Sequence, residues 1–392
     1  MISAGHFLSH FYALVLPPLF PLLKAEFGVS YLQLGLAMTA YSLLGGVMQA
    51  PVGFLVDRIG PRRVLLVGLG LNALAVLLMG FADAYWILLV LALCAGLGNS
   101  VFHPADYAIL SGSINPARLG RAFSAHTFSG FLGGACAPVA ILILAQWADW
   151  RTALIAVGAL GLLALAVMAL LRDVLMGEGS PAQADSEGDT STKSPPSQAT
   201  GWRLLMTPPI LLYLGFFVLY GMTSGGLIAF TVSGLVDLHG LALQDANTAL
   251  TAHLFGVVAG ILLAGIVADR FSRHLVTVGV ALMIAAGAAA SVVIASGSSL
   301  ILIAVMTLAG VGLGAVLPPR DLMIRAIVPT GQTGKVFGFV FVGYSIGHSV
   351  APLLFGWFLD AGQPALVFLF AALFALAALV VVAAAHRLSR PR

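Results

Sequence analysis

Apolar runs long enough to cross a bilayer recur from one end of the 392-residue chain to the other, and they leave few architectures open. The last of them, Ala365 to Ala385, contains no charged residue. A helix needs about 20 mainly apolar residues to cross the ~30 Å hydrocarbon core. Within lipid every backbone N–H and C=O must find a partner in the protein, so only helices and closed barrels can span. A barrel would show ~10-residue alternating segments rather than unbroken runs. With 60% hydrophobic and only 8% charged residues, against roughly 25% charged in a soluble domain, the chain reads as an all-α membrane protein.

Apolar runs and their breakers place twelve spans near 5–24, 31–55, 64–82, 86–110, 121–146, 151–171, 209–235, 248–268, 275–296, 299–319, 335–358 and 364–385. The N-terminal run lacks the basic flank and small-residue cleavage site of a secretory signal, so it is expected to stay as the first span. Between the sixth and seventh spans, Gly177 to Gly201 is rich in Ser, Pro, Gly and charge and has no apolar periodicity. The expected organisation is a six-helix bundle over 1–172, a flexible cytoplasmic linker over 173–204, and a second six-helix bundle with a short basic tail over 205–392. The turns DRIGPRR, NPARLGR and DRFSRH and the tail HRLSRPR fall on one side, whereas the other side has only Lys24 and Arg151 as clear basic residues. That asymmetry puts both termini in the cytoplasm, as expected for a bacterial inner membrane protein. Cys94 and Cys136 lie inside apolar runs, where they pack as small hydrophobes.

The two halves repeat. GFLVDRIGPRRVL from Gly53 returns as GIVADRFSRHLVT from Gly265, an offset of 212. VFHPADY from Val101 aligns with VLPPRDL from Val316 at an offset of 215, which superposes Asp106 on Asp321. GRAF with GKVF, and GGACAP with GHSVAP, align at 214. Such duplication is typical of secondary transporters that hold their substrate between the halves.

Gly53, Asp57, Arg58, Gly60, Arg62 and Arg63, with Pro61 among them, resemble the loop signature between spans two and three of the major facilitator superfamily. Gly265, Asp269, Arg270 and Arg273 resemble its echo in the second half, with Ser272 in place of the second glycine. The segments LSHFYALVLPPLFPLLKAEFGVS and GNSVFHPAD are similar to those of efflux proteins of the fosmidomycin-resistance type. The resemblance implies two pseudo-symmetric lobes and a conformational latch at Asp57 and Arg58. A carboxylate there can pair with a neighbouring arginine or with a helix N-terminus, tying the halves together on the cytoplasmic side and favouring the outward-facing state. The other reading of the arginines is topological anchoring alone.

Asn99, His103 and Asp106 are spaced i, i+4 and i+7 and so share a face of span four. An aspartate at mid-membrane costs roughly 2.5–3.5 kcal/mol, so this face must meet protein or a polar cavity rather than lipid. Pro104 removes a backbone donor and is expected to bend the span. Asp106, tuned by His103, is either a proton or cation acceptor or a gate residue paired with the Arg58–Arg63 turn. In span ten, Asp321 and Arg325 are i, i+4 and can pair, which leaves Arg320 without a local partner. Arg320 is then a candidate for an anionic substrate group, or else reaches the interface or Asp106.

Other polar residues form a looser set. His6 and His10 are i, i+4 in span one; Tyr344 and His348 are i, i+4 in span eleven; His126 and His253 open spans five and eight. His6 and His10 have the spacing of a metal pair, but no third ligand converges on them in the sequence, so no metal site is expected. Hydrogen-bonded packing accounts for a buried histidine taken singly. By the resemblance, the spans that carry His10 and His348 line the cavity; with Asn99, Arg320 and Tyr344 they make up the expected substrate-cavity set. Tyr41, Gln49 and Asn72 offer further hydrogen bonds. Glycines four apart in GFLGG, GVVAG, GVGLG and GYSIG let helices approach closely where one half rocks on the other.

No phosphate-binding loop is present, since GQTGKV at Gly331 has the wrong spacing, and there is no cofactor motif. Energy must come from a gradient, and one charge crossing 100 mV supplies about 2.3 kcal/mol. The expected function is secondary active transport of a small organic solute, with proton-coupled efflux first and uptake of a small organic anion second. A non-transporting membrane sensor is a third reading, lacking the soluble domain it needs. Fosmidomycin-resistance-type proteins tend to carry an acidic residue shortly after the Ser-His of span one, and SHFYA has none, so coupling passes to Asp106, Asp321 or a histidine. The chain is expected to act as a monomer in the bilayer, not as an enzyme, and without nucleic-acid partners.

Overall fold

The computed structural model describes residues 1–171, 202–295, 298–329 and 332–389. The first span, Ile2–Phe27, consists of α1 (Ile2–Ala13), a 3-10 turn at Pro17–Leu19 and α2 (Phe20–Phe27). Pro17, Pro18 and Pro21 supply no N–H here, so the helix yields and restarts, each piece with proline in its first turn. Gly28 ends α2 at φ 60°, and Ser30 opens α3 (Tyr31–Val47) through a capping box with Gln33. α4 (Gln49–Ile59) follows at a 47° bend. Gly60, at φ 91°, lets the chain turn sharply before Pro61 starts α5 (Pro61–Met79).

α6 (Tyr85–Asn99) and α7 (Phe102–Ser113) form the fourth span with a break at Ser100 and Val101. Pro104 is the cause: it cannot donate to the Ser100 carbonyl, and its ring crowds that carbonyl. The span is thus interrupted just before Pro104, and Asn99 lies on the far side of the break from His103 and Asp106. α8 (Pro116–Trp147) and α9 (Trp150–Leu170) complete the first lobe. Residues 172–201, which hold most of the expected linker, lie outside the described residues, and its last residues already belong to the short helix α10 (Trp202–Leu205). The second lobe holds α11 (Pro208–His239), α12 (Leu243–Arg270), α13 (His274–Ile294), α14 (Ser299–Arg325), α15 (Thr333–Asp360) and α16 (Ala365–Leu388). Among the described residues, eleven helices are long and apolar enough to cross a membrane, and the bent α3–α4 pair makes the twelfth span.

The sequence repeat reappears as a packing repeat. In the first lobe α1 packs on α8, α3 on α6 and α5 on α9; in the second, α11 packs on α15, α12 on α14 and α13 on α16. A Cβ on Gly133 would run into the Phe7 carbonyl across α1 and α8, and one on the equivalent Gly347 into the Val218 carbonyl across α11 and α15. The glycine pairs thus bring helices together within a lobe, not between the lobes as the sequence suggested. Between the lobes, α3 packs on α15 and α8 on α12. There the close approach belongs to Gly35 against the Pro352 carbonyl and Gly356 against Tyr31.

Inter-lobe hydrogen bonds gather toward one end of the bundle. Asp360 accepts the backbone N–H groups of Tyr31 and Leu32 at 2.8 Å each, and Tyr31 Oη lies 3.5 Å from Asp237 Oδ1. Asn247 Nδ2 donates to the Pro18 carbonyl at 3.4 Å, and deeper in, Thr39 Oγ1 donates to the Ser349 carbonyl at 2.6 Å. At the opposite end, which carries the α4–α5 and α12–α13 turns, α4 packs on α5 and α7 of its own lobe. Phe54 is 79% exposed there, and a Cβ on Gly53 or Gly265 would meet nothing within 4 Å. The molecule is closed at one end and parted at the other.

Candidate functional site

The fourth span carries Asp106 into the first lobe beside two histidines from other helices. His6 Nδ1 on α1 and His126 Nε2 on α8 each lie 3.6 Å from Asp106 Oδ2. Asp106 is fully buried, and the titratable side chains that face its carboxylate among the described residues are these two histidines, not the Arg58–Arg63 turn considered from the sequence. The His6 and His126 rings stack with centroids 3.9 Å apart. His10 and His103 pack edge-on against His6 at 4.6 and 5.3 Å, and Tyr107 stacks on His103 at 5.9 Å. Gly130 of α8 makes the room: a Cβ there would lie 2.6 Å from two atoms of the His6 ring. Four histidines and one carboxylate from α1, α7 and α8 thus share a single buried site near the parted end.

The equivalent position in the second lobe is built differently. Asp321 pairs with its neighbour Arg320, whose Nε and Nη2 both lie 2.9 Å from Oδ1, and not with Arg325, which is exposed. Arg320 therefore does have a local partner, contrary to the sequence expectation. Its side chain is 4% exposed, while that of Asp321 is 43% exposed. The guanidinium lies over the Phe217 ring at 4.5 Å, with Phe341 and Tyr220 at 5.6 and 5.9 Å. Tyr344 lies 6.1 Å from Tyr220, and His348 lies 5.4 Å from Tyr344, so a string of polar side chains runs from α14 through α11 to α15. Stacking on aromatic faces lets a guanidinium sit in an apolar environment while its N–H fork stays aimed at a carboxylate.

A cavity of about 360 Å³ opens between the lobes, lined by Phe123, Ser124, Thr127, Phe128 and Phe131 of α8 and by Val258, Ile261 and Leu262 of α12. Of the expected cavity set, His10 comes nearest to it, with its ring 6.1 Å from that of Phe131. Asn99, half-buried, abuts Gly45 and stands apart from the histidine cluster. His253 makes the packing contact expected of a buried histidine, with Nδ1 3.1 Å from the Met306 carbonyl. Asp57 and Arg58 are exposed, Arg62 is half-buried and Arg270 is exposed; the side chain of Asp269 lies outside the described residues. Sequence reasoning paired His6 with His10 and named His126 singly, and it missed Asp360 and Asp237, which fasten the closed end.

Two duplicated six-helix lobes, joined at one end and holding buried ionisable groups within each lobe, are the build of a secondary membrane transporter. The sequence model of the Major Facilitator Superfamily matches residues 2–246 and 214–392, and the chain belongs to that superfamily. It is 26% identical to the fosmidomycin resistance protein of Escherichia coli K12, over 88% of this chain and 82% of that protein. It is also 26% identical to a probable sulfoacetate transporter of Cupriavidus necator, over 87% of this chain and 81% of that one. Identity to the D-galactonate transporter of Escherichia coli O6:H1 is 23%, over 88% and 85% of the two chains. Its fold matches crystal structures of a bacterial homolog to the human lysosomal transporter Spinster. In the inward-facing and occupied conformation the TM-score is 0.73, with 16% identity over 99% of this chain and 94% of that one. In the inward-facing and unoccupied conformation the TM-score is 0.75. The protein is a membrane transporter and not an enzyme.

Proposed function

We propose that the protein carries a small organic anion together with a proton, by alternating access, and that Arg320 and Asp321 form the coupled site. The observation that carries this reading is the pair itself: a guanidinium buried among Phe217, Tyr220 and Phe341 whose Nε–H and Nη2–H are taken by a half-exposed carboxylate. A proton on Asp321 neutralises that carboxylate and releases the fork, which matches a carboxylate or sulfonate on the solute. The groups around it are Arg325 on the same helix, Tyr220 on α11, and Tyr344 and His348 on α15. A proton and a monoanion loaded together carry no net charge. The pH difference then sets the direction, with one pH unit worth about 1.4 kcal/mol or tenfold in solute.

Two relatives are named for organic acids, sulfoacetate and galactonate, which supports an anionic solute. The basic turns at the parted end support cytoplasmic termini in a bacterial inner membrane, with the described conformation facing inward. The chain works as a monomer in this reading. In proteoliposomes with an acidic exterior, labelled sulfoacetate or D-galactonate is expected to accumulate. Arg320→Gln abolishes accumulation, and Asp321→Asn leaves transport that no longer responds to the pH gradient. Accumulation unaffected by Arg320→Gln would remove the basis of the reading.

A second reading is export in exchange for protons. It is favoured by the fosmidomycin resistance relative and by the apolar cavity between α8 and α12, whose three phenylalanines suit a less polar solute. In the same vesicles, proton-driven loss of a preloaded compound that Phe128→Ala slows would support it over symport.

A further inference from the structure

We propose that His6, Asp106 and His126 form a binding site for one divalent transition-metal ion of the zinc class. The third ligand that the sequence did not offer to His6 and His10 arrives from elsewhere in the fold: Asp106 from α7 and His126 from α8. His6 Nδ1, a carboxylate oxygen of Asp106 and His126 Nε2 all lie within 4.8 Å of one another, and all three residues are buried.

The distances separate metal ligation from hydrogen bonding. Both nitrogens lie 3.6 Å from Asp106 Oδ2, beyond the ~2.7–3.2 Å of an N–H···O bond. Ligand atoms held about 2.0–2.1 Å from a tetrahedral ion stand about 3.3–3.4 Å apart, so each histidine–aspartate pair needs to close by only a few tenths of an ångström. Neither Asp106 oxygen, nor His6 Nδ1, nor either ring nitrogen of His126 accepts or donates a hydrogen bond among the described residues. Buried polar atoms are rarely left this way, and one ion would take a ligand atom from each of the three residues, His6 Nδ1, an Asp106 oxygen and His126 Nε2. The stacked His6 and His126 rings, 22° from parallel, must splay to aim both nitrogens at one ion. The terminal torsion of histidine is broad enough to allow that.

Electrostatics point the same way. Asp106 is fully buried in a membrane span with no arginine or lysine paired to it among the described residues, and a divalent cation offsets the cost of a carboxylate there. Two imidazoles and one carboxylate suit zinc, cobalt or nickel rather than magnesium or calcium, which take oxygen ligands. Three protein ligands leave a fourth position, and His103, packed against His6 with its Nδ1 buried and without a hydrogen bond among the described residues, is a further donor beside the site. His10 stands between His6 and Phe131, so the inter-lobe cavity provides the entry path. The bound ion ties α1, α7 and α8 together beside the surface on which α8 meets α12 of the other lobe.

The test uses the full-length protein in detergent, freed of any affinity tag, stripped with chelator and titrated with Co²⁺. Expected are about one equivalent bound per chain, ligand-field absorption of a tetrahedral nitrogen and oxygen environment, displacement by Zn²⁺, and a rise in thermal midpoint with Zn²⁺. Asp106→Asn and His126→Gln should each weaken binding at least tenfold. His253→Gln, which alters a buried histidine in the other lobe, should leave it unchanged. The wild-type titration decides the matter even if a variant fails to fold. Absence of a stoichiometric site, or binding that survives both ligand substitutions, would show an ordinary packed cluster and overturn the proposal.

Discussion

Asp360, the last residue of α15, caps the helix that Tyr31 opens in the opposite lobe. Its two oxygens take the Tyr31 and Leu32 N–H groups at 2.8 Å each. A carboxylate at the end of its own helix meets the negative pole of that helix; here it also meets the free N–H groups and positive pole of α3. Lys24 adds a cation, 4.0 Å from the same carboxylate and 3.8 Å over the Tyr31 ring. The closed end is therefore held by a charged cap laid across the seam, on top of the Gly35 and Gly356 packing.

Asp360→Ala removes both charge-assisted bonds and should loosen the closed end by about 2 kcal/mol, below the sum of two such bonds at ~1.5–3 kcal/mol each, because the carboxylate is partly exposed. A cysteine placed at Thr39, whose hydroxyl bonds across the seam to Ser349, reports the change. Its labelling by an impermeant maleimide from the closed side should speed up at least tenfold in the Asp360→Ala background. Unchanged labelling would mean that packing alone holds the seal.

Gly130→Ala places a methyl group 2.6 Å from the His6 ring and 3.0 Å from His10, so the imidazoles must move. Overpacking of this kind costs about 1–3 kcal/mol, and it also displaces a proposed metal ligand. The unfolding midpoint should fall and Co²⁺ affinity should drop. Gly112→Ala, where a Cβ would meet nothing within 4 Å, should leave both unchanged or raise stability slightly. Equal melting of the two variants would contradict the crowding.

Asp149 lies in the short turn between α8 and α9 and caps α9: its Oδ1 accepts the Thr152 N–H at 2.7 Å. That hydrogen bond holds its carboxyl below the usual carboxylate range. A depressed folded-state value makes the contribution full above the unfolded-state range and lost as pH falls through the folded one. Thermal midpoints taken from neutral pH downward should fall in acid, and Asp149→Asn, which keeps an acceptor without the charge, should flatten that part of the curve. An identical acid slope in both proteins would exclude the cap as its source.

The spans and the duplication were legible because each rests on local pattern. A lipid-facing helix advertises itself by composition, and the break before Pro104 follows from the missing N–H. The fixed offset between Gly133 and Gly347 even carried over into equivalent close contacts. The site was less legible because its partners are far apart in the chain. His6, Asp106 and His126 meet only when three helices pack, and a lone histidine in sequence carries no sign of that. The Arg320–Asp321 pair escaped for the opposite reason: adjacent helical side chains usually diverge, so the i, i+4 partner Arg325 looked better. A cap supplied by another lobe, as Asp360 does for Tyr31, leaves no signature next to the helix it caps.

The latch expected at Asp57 and Arg58 acts when the parted end closes, and the repeat suggests how to capture that conformation. Gly53 and Gly265 occupy equivalent positions at the parted end, where a Cβ on either would meet nothing within 4 Å. α4, which carries Gly53, Asp57 and Arg58, packs on its own lobe, so its charged end is free to engage the other lobe when that end closes. With cysteines at both glycines, the described conformation should show two freely labelled thiols and little disulfide. Conditions that close the parted end should bring the thiols within cross-linking range, and Asp57→Asn should lower the cross-linked fraction several-fold by removing the charge that holds the closed form. Cross-linking that is absent in every condition, or that is insensitive to Asp57→Asn, would reduce the basic turn to a topological anchor.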